Sequence, residues 1–288
     1  ANQILGLRAI INGTTNYILT QMASGGASFD DALSDAQRLG FAEADPTADV
    51  DAFDAVYKIS ILARLAFGVD VPIEKIFREG IRRTASQDFR YAEELGYTIK
   101  LIAAARRENG GLLVRVHPAL VPSDVPMAKV EGVLNVVEAE GDLVGPLWLQ
   151  GRGAGAEPTA SAVMGDVLRT VSVLRGGGHV PQARPINLDL PILEMSSLEC
   201  KYYIRLTVRD RPGVLAQIAG ALGDMDISIA SVLQMDSDPE RGNADLVIMT
   251  HPAREANMQR AVERIDALGD VGTVANVIRV EFYPSARQ

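Results

Sequence analysis

The chain has 288 residues, 47% of them hydrophobic and 23% charged, enough to bury the core of two ordinary domains. A formal net charge of -9 without a basic stripe argues against nucleic acid or an anionic membrane as partner and points to small molecules or other proteins. Cys200 is the only cysteine and has no intrachain mate, and no basic segment leads into a signal-type apolar run, so the cytoplasm is the expected compartment.

The chain opens without methionine on the strand-like "ILGLRAII" and reads as part of a longer protein. Asn12 and Gly13 form a turn pair, and Thr14 and Thr15 suit an N-cap before the apolar "NYILTQMA". A second helix is expected from Ser28 to Leu39, with Asp30 and Asp31 in its first turn, followed by an acidic loop from Phe41 to Asp49. From Val50 to Phe67 apolar residues cover most of a helical wheel, which predicts a largely buried helix. "VPIEKIFREGIRR" and "DFRYAEELGYTIKLIAAARR" read as further helices, "LLVRVHPALV" as a strand, and "LNVVEAE" with "DLVGPLWLQ" as a hairpin turning at Gly141 and Asp142. "PTASAVMGDVLRTVSVL" is one more helix. Strands and helices mix without regular alternation, so residues 1–185 read as an α+β unit, a mixed sheet with packed helices.

The glycine- and proline-rich "RGGGHVPQARPINLDLP" marks a linker or strap, with a domain boundary over 186–200. Beyond it, residues 202–208 alternate as a half-buried strand, with Tyr202, Ile204, Leu206 and Val208 on one face. The order continues βαββαβ through residue 281, a compact ferredoxin-like sheet with two helices, within a second domain at 201–288.

Asp54 and Lys58 lie four apart on the helix predicted to be buried, hence one turn apart on one face. A surface ion pair is one reading. A lysine on an otherwise apolar helix must, however, be paired or face a polar cleft, and such lysines can exchange protons near neutral pH. Only five lysines occur in the chain. Upstream, Glu43, Asp45, Asp49 and Asp51 suit a ligand ammonium, a solvated loop or a hard metal, although the spacing is not that of an EF-hand. His117, His179 and His251 are far apart, each near a proline, and support neither a zinc site nor a triad. "GRGAGA" at 151–156 carries the letters of a dinucleotide fingerprint, but no second parallel strand with a ribose-binding acid follows, so it reads either as an anion-approaching loop or as a close-packed turn.

"INGTTNYIL", "AEADPTADVDAFDAVYK" and "GRGAGAEPTASAVMGDVL", in this order, resemble homoserine dehydrogenase over residues 1–185, and residues 201–281 resemble an ACT domain. The resemblance implies NAD(P)-dependent interconversion of L-aspartate 4-semialdehyde and L-homoserine in threonine, methionine and isoleucine biosynthesis, with a Rossmann domain expected before residue 1. It implies Lys58 as acid/base and Asp54 beside it in catalysis, with Glu43, Gly13, Thr14 and Asp49 at the substrate and Gly153, Ala154 and Gly155 at the NADP or NAD edge. The family's monovalent cation site is expected in the preceding part, and no metal ligand is assigned here. Asp210, Gly213, Val214, Asp226 and Ser228 are the expected effector residues, with threonine as effector in a homo-oligomer. A noncatalytic amino-acid-binding and oligomerisation module is the alternative.

Overall fold

The computed structural model describes residues 2–176, 190–238, 242–281 and 283. The start of the expected linker and His179 lie outside the described residues. In chain order the elements are β1 (Ile4–Ile10), α1 (Gly13–Gly25), α2 (Phe29–Arg38), α3 (Thr47–Val50), α4 (Phe53–Phe67), β2 (Phe77–Arg78), α5 (Ser86–Glu94), β3 (Tyr97–Glu108) and β4 (Gly111–Pro122). There follow β5 (Leu134–Gly141), β6 (Gly145–Arg152), α6 (Ala156–Leu174), β7 (Glu199–Cys200), β8 (Tyr202–Arg209), α7 (Val214–Gly223), β9 (Ile229–Asp238), β10 (Asn243–Thr250), β11 (Ala253–Arg254), α8 (Glu255–Asp266) and β12 (Val271–Val280). The mixed sheet of the first part and the βαββαβ order of the second are both as expected.

Two stretches differ from expectation. "VPIEKIFREGIRR" forms a short 3-10 turn at Ile73–Lys75 and then β2, which pairs in parallel with β4. The second expected helix stops at Glu94, and Tyr97–Glu108 continues as a strand whose Ala103, Ala104 and Ala105 are buried. Alanine favours helix, but small side chains also fit a strand covered on both faces, and here tertiary packing decides.

One sheet crosses the boundary expected at 186–200, with strand order β6-β5-β1-β3-β4-β12-β8-β10-β9. The crossing is the parallel pairing of β12 with β4, Arg279 opposite Ala119. The described end of the linker is no loose tether: the Leu112 N–H donates to the Pro191 carbonyl at 2.8 Å and the Leu193 N–H to the Leu112 carbonyl at 2.9 Å, so it straps β4. On one face, alternate residues Leu7 and Ala9, Leu101 and Ala103, and Val114 and Val116 form a core with α1, α4 and α5. On the other face α7 and α8 cover Tyr202, Ile204 and Leu206.

The strand expected to be half-buried is therefore covered on both sides. Tyr203 and Arg205 point toward α5, where buried Asp88 accepts from the Tyr203 hydroxyl at 3.0 Å, Arg205 Nε at 2.6 Å and Asn276 Nδ2 at 2.9 Å. Opposite, Glu281 accepts from Arg8 Nε at 3.0 Å and Arg115 Nη2 at 2.7 Å, joining β1 and β4 to the residue after β12. His117 is buried beside Arg115 and Arg279, and burial holds its imidazole neutral, as suits a structural histidine. The helix read as buried all round has only one buried face, Ala55, Val56, Ile59, Ala63 and Phe67; Tyr57, Ile61 and Leu65 are exposed, as are all residues of α6 except partly covered Pro158 and Val173. An apolar wheel shows that a helix has partners to bury against, not that one chain supplies them.

Burial alone would raise the Glu281 carboxyl, but facing Arg115 and Arg8 bring it down to about 2 from 4.5. A depressed carboxylate stabilises the fold fully above its unfolded pKa and loses that contribution as pH falls through its folded one. Glu281→Gln is expected to lower the unfolding free energy at pH 7 by about 3 kcal/mol or more, since it leaves buried guanidinium groups undercompensated. In urea titrations the gap between wild type and variant should narrow between about pH 4.5 and pH 2; a gap independent of pH would contradict the assignment.

Candidate active site

Where β1 ends, Asn12 caps α1: its Oδ1 accepts from the Thr15 N–H at 2.8 Å, so the cap is Asn12 and not the expected Thr14 or Thr15. The same side chain turns its amide group outward. Asn12 Nδ2 donates to Asp49 Oδ1 at 2.6 Å and to Asp54 Oδ2 at 2.9 Å. These carboxylates come from two helices because the run expected as one helix from Val50 breaks at Ala52, whose φ is 64°. α3 ends with Val50 and α4 restarts at Phe53, which brings Asp49 and Asp54 to one amide.

Lys58 lies one turn beyond Asp54 and pairs with its Oδ2 at 2.7 Å. Its Nζ also donates to the Ile11 carbonyl at 3.1 Å. An ammonium has three N–H donors, so the third is left for the cleft. The lysine side chain is 48% exposed, which makes it neither a buried ion nor a freely waving one.

These groups line a cleft of about 460 Å³ with Gly13, Thr14, Phe41, Asn135, Arg152 and Gly153–Gly155. Two close approaches close its wall. A Cβ on Gly13 would come within 2.9 Å of the Val133 carbonyl oxygen, so a side chain there needs the backbone to move, and one on Gly153 would come within 2.0 Å of Asn135 Nδ2, so the Asn135 side chain would have to turn away. Thr14 Oγ1 donates to the Phe41 carbonyl at 2.6 Å and pins the acidic loop over the mouth.

Of the residues expected at the site, Asp54, Lys58, Gly13, Thr14, Asp49, Gly153, Ala154 and Gly155 share this cleft. Glu43 is exposed, is not among its lining residues, and contributes its backbone carbonyl to Gln37. Asp45 receives the Thr47 N–H, and Asp51 pairs with Arg82 at 2.7 Å, so both serve the loop itself. Asn12, Asn135 and Arg152 were not singled out as site residues. Asn12 was legible, since asparagine before a helical run is a strong N-cap; Arg152 stood within the "GRGAGA" loop, and nothing local marked Asn135, which the β5–β6 hairpin carries in.

Gly153–Gly155 lie at the N-terminus of the 19-residue α6, where uncovered amides and the helix dipole favour an anion, and Arg152 adds positive charge. These residues fit the edge of a nicotinamide dinucleotide. Among the described residues no cluster of three or more His, Cys, Asp or Glu is placed to hold a metal ion, and no helix is long and apolar enough to cross a membrane.

The expected effector residues fall into two groups. Gly213, with φ 93°, precedes α7, so the helix begins at Val214 without a side-chain cap and Asp210 does not cap it. Asp226 and Ser228 follow the other end of α7, a helix of ten residues and about 15 Å in length. Within one chain the two groups stand apart.

Fold and cleft define an α+β unit with a lysine–carboxylate site, joined through its sheet to a βαββαβ module. The family model described as homoserine dehydrogenase matches residues 1–168, and the ACT domain model matches residues 202–270. The chain belongs to the homoserine dehydrogenase family and carries a C-terminal ACT domain. It is 43% identical over 289 aligned residues to the homoserine dehydrogenase of Pseudomonas aeruginosa, covering 98% of this chain and 66% of that protein. The solved homoserine dehydrogenase of Thiobacillus denitrificans is 44% identical with a TM-score of 0.89, over 97% of this chain and 64% of that one. A hyperthermophilic archaeal homoserine dehydrogenase in complex with NADPH is 31% identical with a TM-score of 0.52, over 64% of this chain and 50% of that one. The chain thus spans 66% of the length of the first curated relatives it matches.

Proposed function

We propose that these residues form the substrate, dimerisation and regulatory parts of an NAD(P)-dependent homoserine dehydrogenase, which interconverts L-homoserine and L-aspartate 4-semialdehyde. The observation that carries the reading is the circuit Ile11 carbonyl, Lys58, Asp54, Asn12, which leaves one Lys58 N–H facing a cleft bordered by the glycine loop. A nicotinamide bound at that border would supply the hydride acceptor or donor for the terminal carbon of the substrate. Lys58 handles the proton at the oxygen of that carbon: as the ammonium it gives its cleft-facing proton to the aldehyde oxygen during reduction, and as the neutral amine left by loss of that proton it accepts the hydroxyl proton during oxidation. Asp54 and the Ile11 carbonyl fix the direction of the ammonium. Asp49, held by Asn12, and Gly13 and Thr14 orient the substrate, while Glu43 stands on the exposed loop beside the cleft. Arg152 and Gly153–Gly155 hold the anionic cofactor edge.

Among the described residues no parallel βαβ nucleotide unit follows the glycine loop: β5 and β6 are antiparallel, and the parallel pairs are β2–β4 and β4–β12. This favours the second reading, a noncatalytic module, for the 288-residue polypeptide alone. The bare apolar faces of α4 and α6 fit further protein contacts in the complete enzyme. In the enzyme with its nucleotide-binding domain, Lys58→Ala is expected to cut kcat on the order of a hundredfold or more with the fold intact by circular dichroism. The 288-residue chain alone is expected to give no hydride transfer with either cofactor. A near-normal rate in the folded variant would remove Lys58 from the chemistry, and turnover by the short chain would remove the need for a further domain.

The ACT domain is the proposed seat of control by threonine. Amides uncovered at Gly213 and Val214 suit a carboxylate, and Asp226 and Ser228 from a second copy suit the ammonium end. Calorimetric titration of threonine should show millimolar or tighter binding that Gly213→Trp abolishes. Absence of heat with any aspartate-family amino acid would leave the domain a dimerisation element.

A further inference from the structure

Away from the active cleft, Lys100 on β3 is only 4% exposed. Its Nζ donates to the Val130 carbonyl at 2.7 Å, and among the described residues no carboxylate lies within ion-pairing distance of it. Two of its three N–H donors are thus free, an expensive state for a buried ammonium. Burial pushes this group down to about 8, against a smaller opposing pull from Glu131. It therefore remains mostly protonated at neutral pH and lacks an anion.

Lys100 lines a cavity of about 270 Å³ bounded by Thr98 and Ser123, with the exposed Glu93 and Glu131 on the same lining. The Thr98 and Ser123 hydroxyls make no side-chain hydrogen bond among the described residues. The cavity shares no lining residue with the active cleft. Its polar groups run from a buried cation through the half-buried Thr98 hydroxyl to an exposed rim that carries Ser123, Glu93 and Glu131.

We propose that this cavity is a second small-molecule site that takes a zwitterion of the α-amino acid class, its carboxylate on Lys100 with the Thr98 and Ser123 hydroxyls and its ammonium toward Glu93 and Glu131. The volume suits a ligand of a few heavy atoms beyond that zwitterionic head. The site reaches the active cleft through one strip of backbone. The Val130 carbonyl that holds Lys100 also accepts from Asn16 Nδ2 at 3.2 Å, and the same amide holds the Gly132 and Leu134 carbonyls at 3.0 and 3.2 Å. Val133 and Asn135 in that strip wall the cleft. An occupant that draws Lys100 off Val130 loosens the strip.

The test needs neither turnover nor cofactor, so its outcome is independent of the function proposed above. The 288-residue chain is treated at pH 8 with cyanate, which carbamylates neutral amines and is small enough to enter, and each lysine is followed by peptide mass spectrometry. L-alanine at saturating concentration should slow reaction at Lys100 about tenfold or more, in line with occupancy of the site, and leave Lys129 and Lys201 unchanged. Acetate should protect partly and ethylammonium not at all. Calorimetric binding of L-alanine should be lost in Lys100→Met, and in Lys100→Gln should the first variant fail to fold. Equal protection at all lysines, no protection by L-alanine, or a Lys100 that never reacts while Lys129 does would each overturn the proposal, the last by showing the cavity closed to small molecules.

Discussion

The side chain of Asn12 is the joint on which the cleft depends. Its oxygen ends β1 and starts α1 by capping, and its amide nitrogen fastens two carboxylates from two other helices. Without a donor between them, Asp49 and Asp54 would place like charges on one short arc. With it, Asp54 is aimed at Lys58, and the ammonium reaches back to the carbonyl of Ile11, the residue just before the joint. The loop is closed in four contacts, each between 2.6 and 3.1 Å. Such a circuit holds a lysine half-exposed without fixing it by burial, as the proposed passing of a proton to a small substrate requires.

A second constraint ties the two parts of the chain into one body. Strand β12 belongs to the ACT domain by order yet pairs with β4, and buried polar groups lock the seam on both faces: Asp88 with Tyr203, Arg205 and Asn276 on one, Glu281 with Arg8 and Arg115 on the other. Removing one member of such a set leaves a desolvated charge behind, so the seam resists sliding. Arg8 lies four residues before Asn12 on the strand that ends at the site. A change at β12 therefore has a short mechanical route to Lys58, although coupling also demands that an effector bind two states unequally.

Much of this was legible in the residues. The strand before Asn12, Ser28 as a cap, the helix after the glycine loop and the βαββαβ order all follow from local rules, and the four-residue spacing of Asp54 and Lys58 put both on one face. Other features depended on neighbours far along the chain. Ala103–Ala105 became strand because the sheet is covered on both faces there, Tyr203 and Arg205 were buried by a helix more than a hundred residues earlier, and Asn135 and Arg152 entered the cleft on a hairpin. Glu43 shows the reverse case, a residue with the right chemistry on an exposed loop that the cleft does not include.

The central claim is that the Asn12-organised Lys58 ammonium meets the reacting oxygen. A crystal structure of the enzyme with its nucleotide-binding domain, solved with L-homoserine bound, measures this directly. The account predicts the terminal hydroxyl oxygen about 3 Å from Lys58 Nζ, with the contacts of Lys58 to Asp54 and to the Ile11 carbonyl retained. A substrate hydroxyl held by another group, with Lys58 still turned onto Asp54 and out of reach, would contradict it.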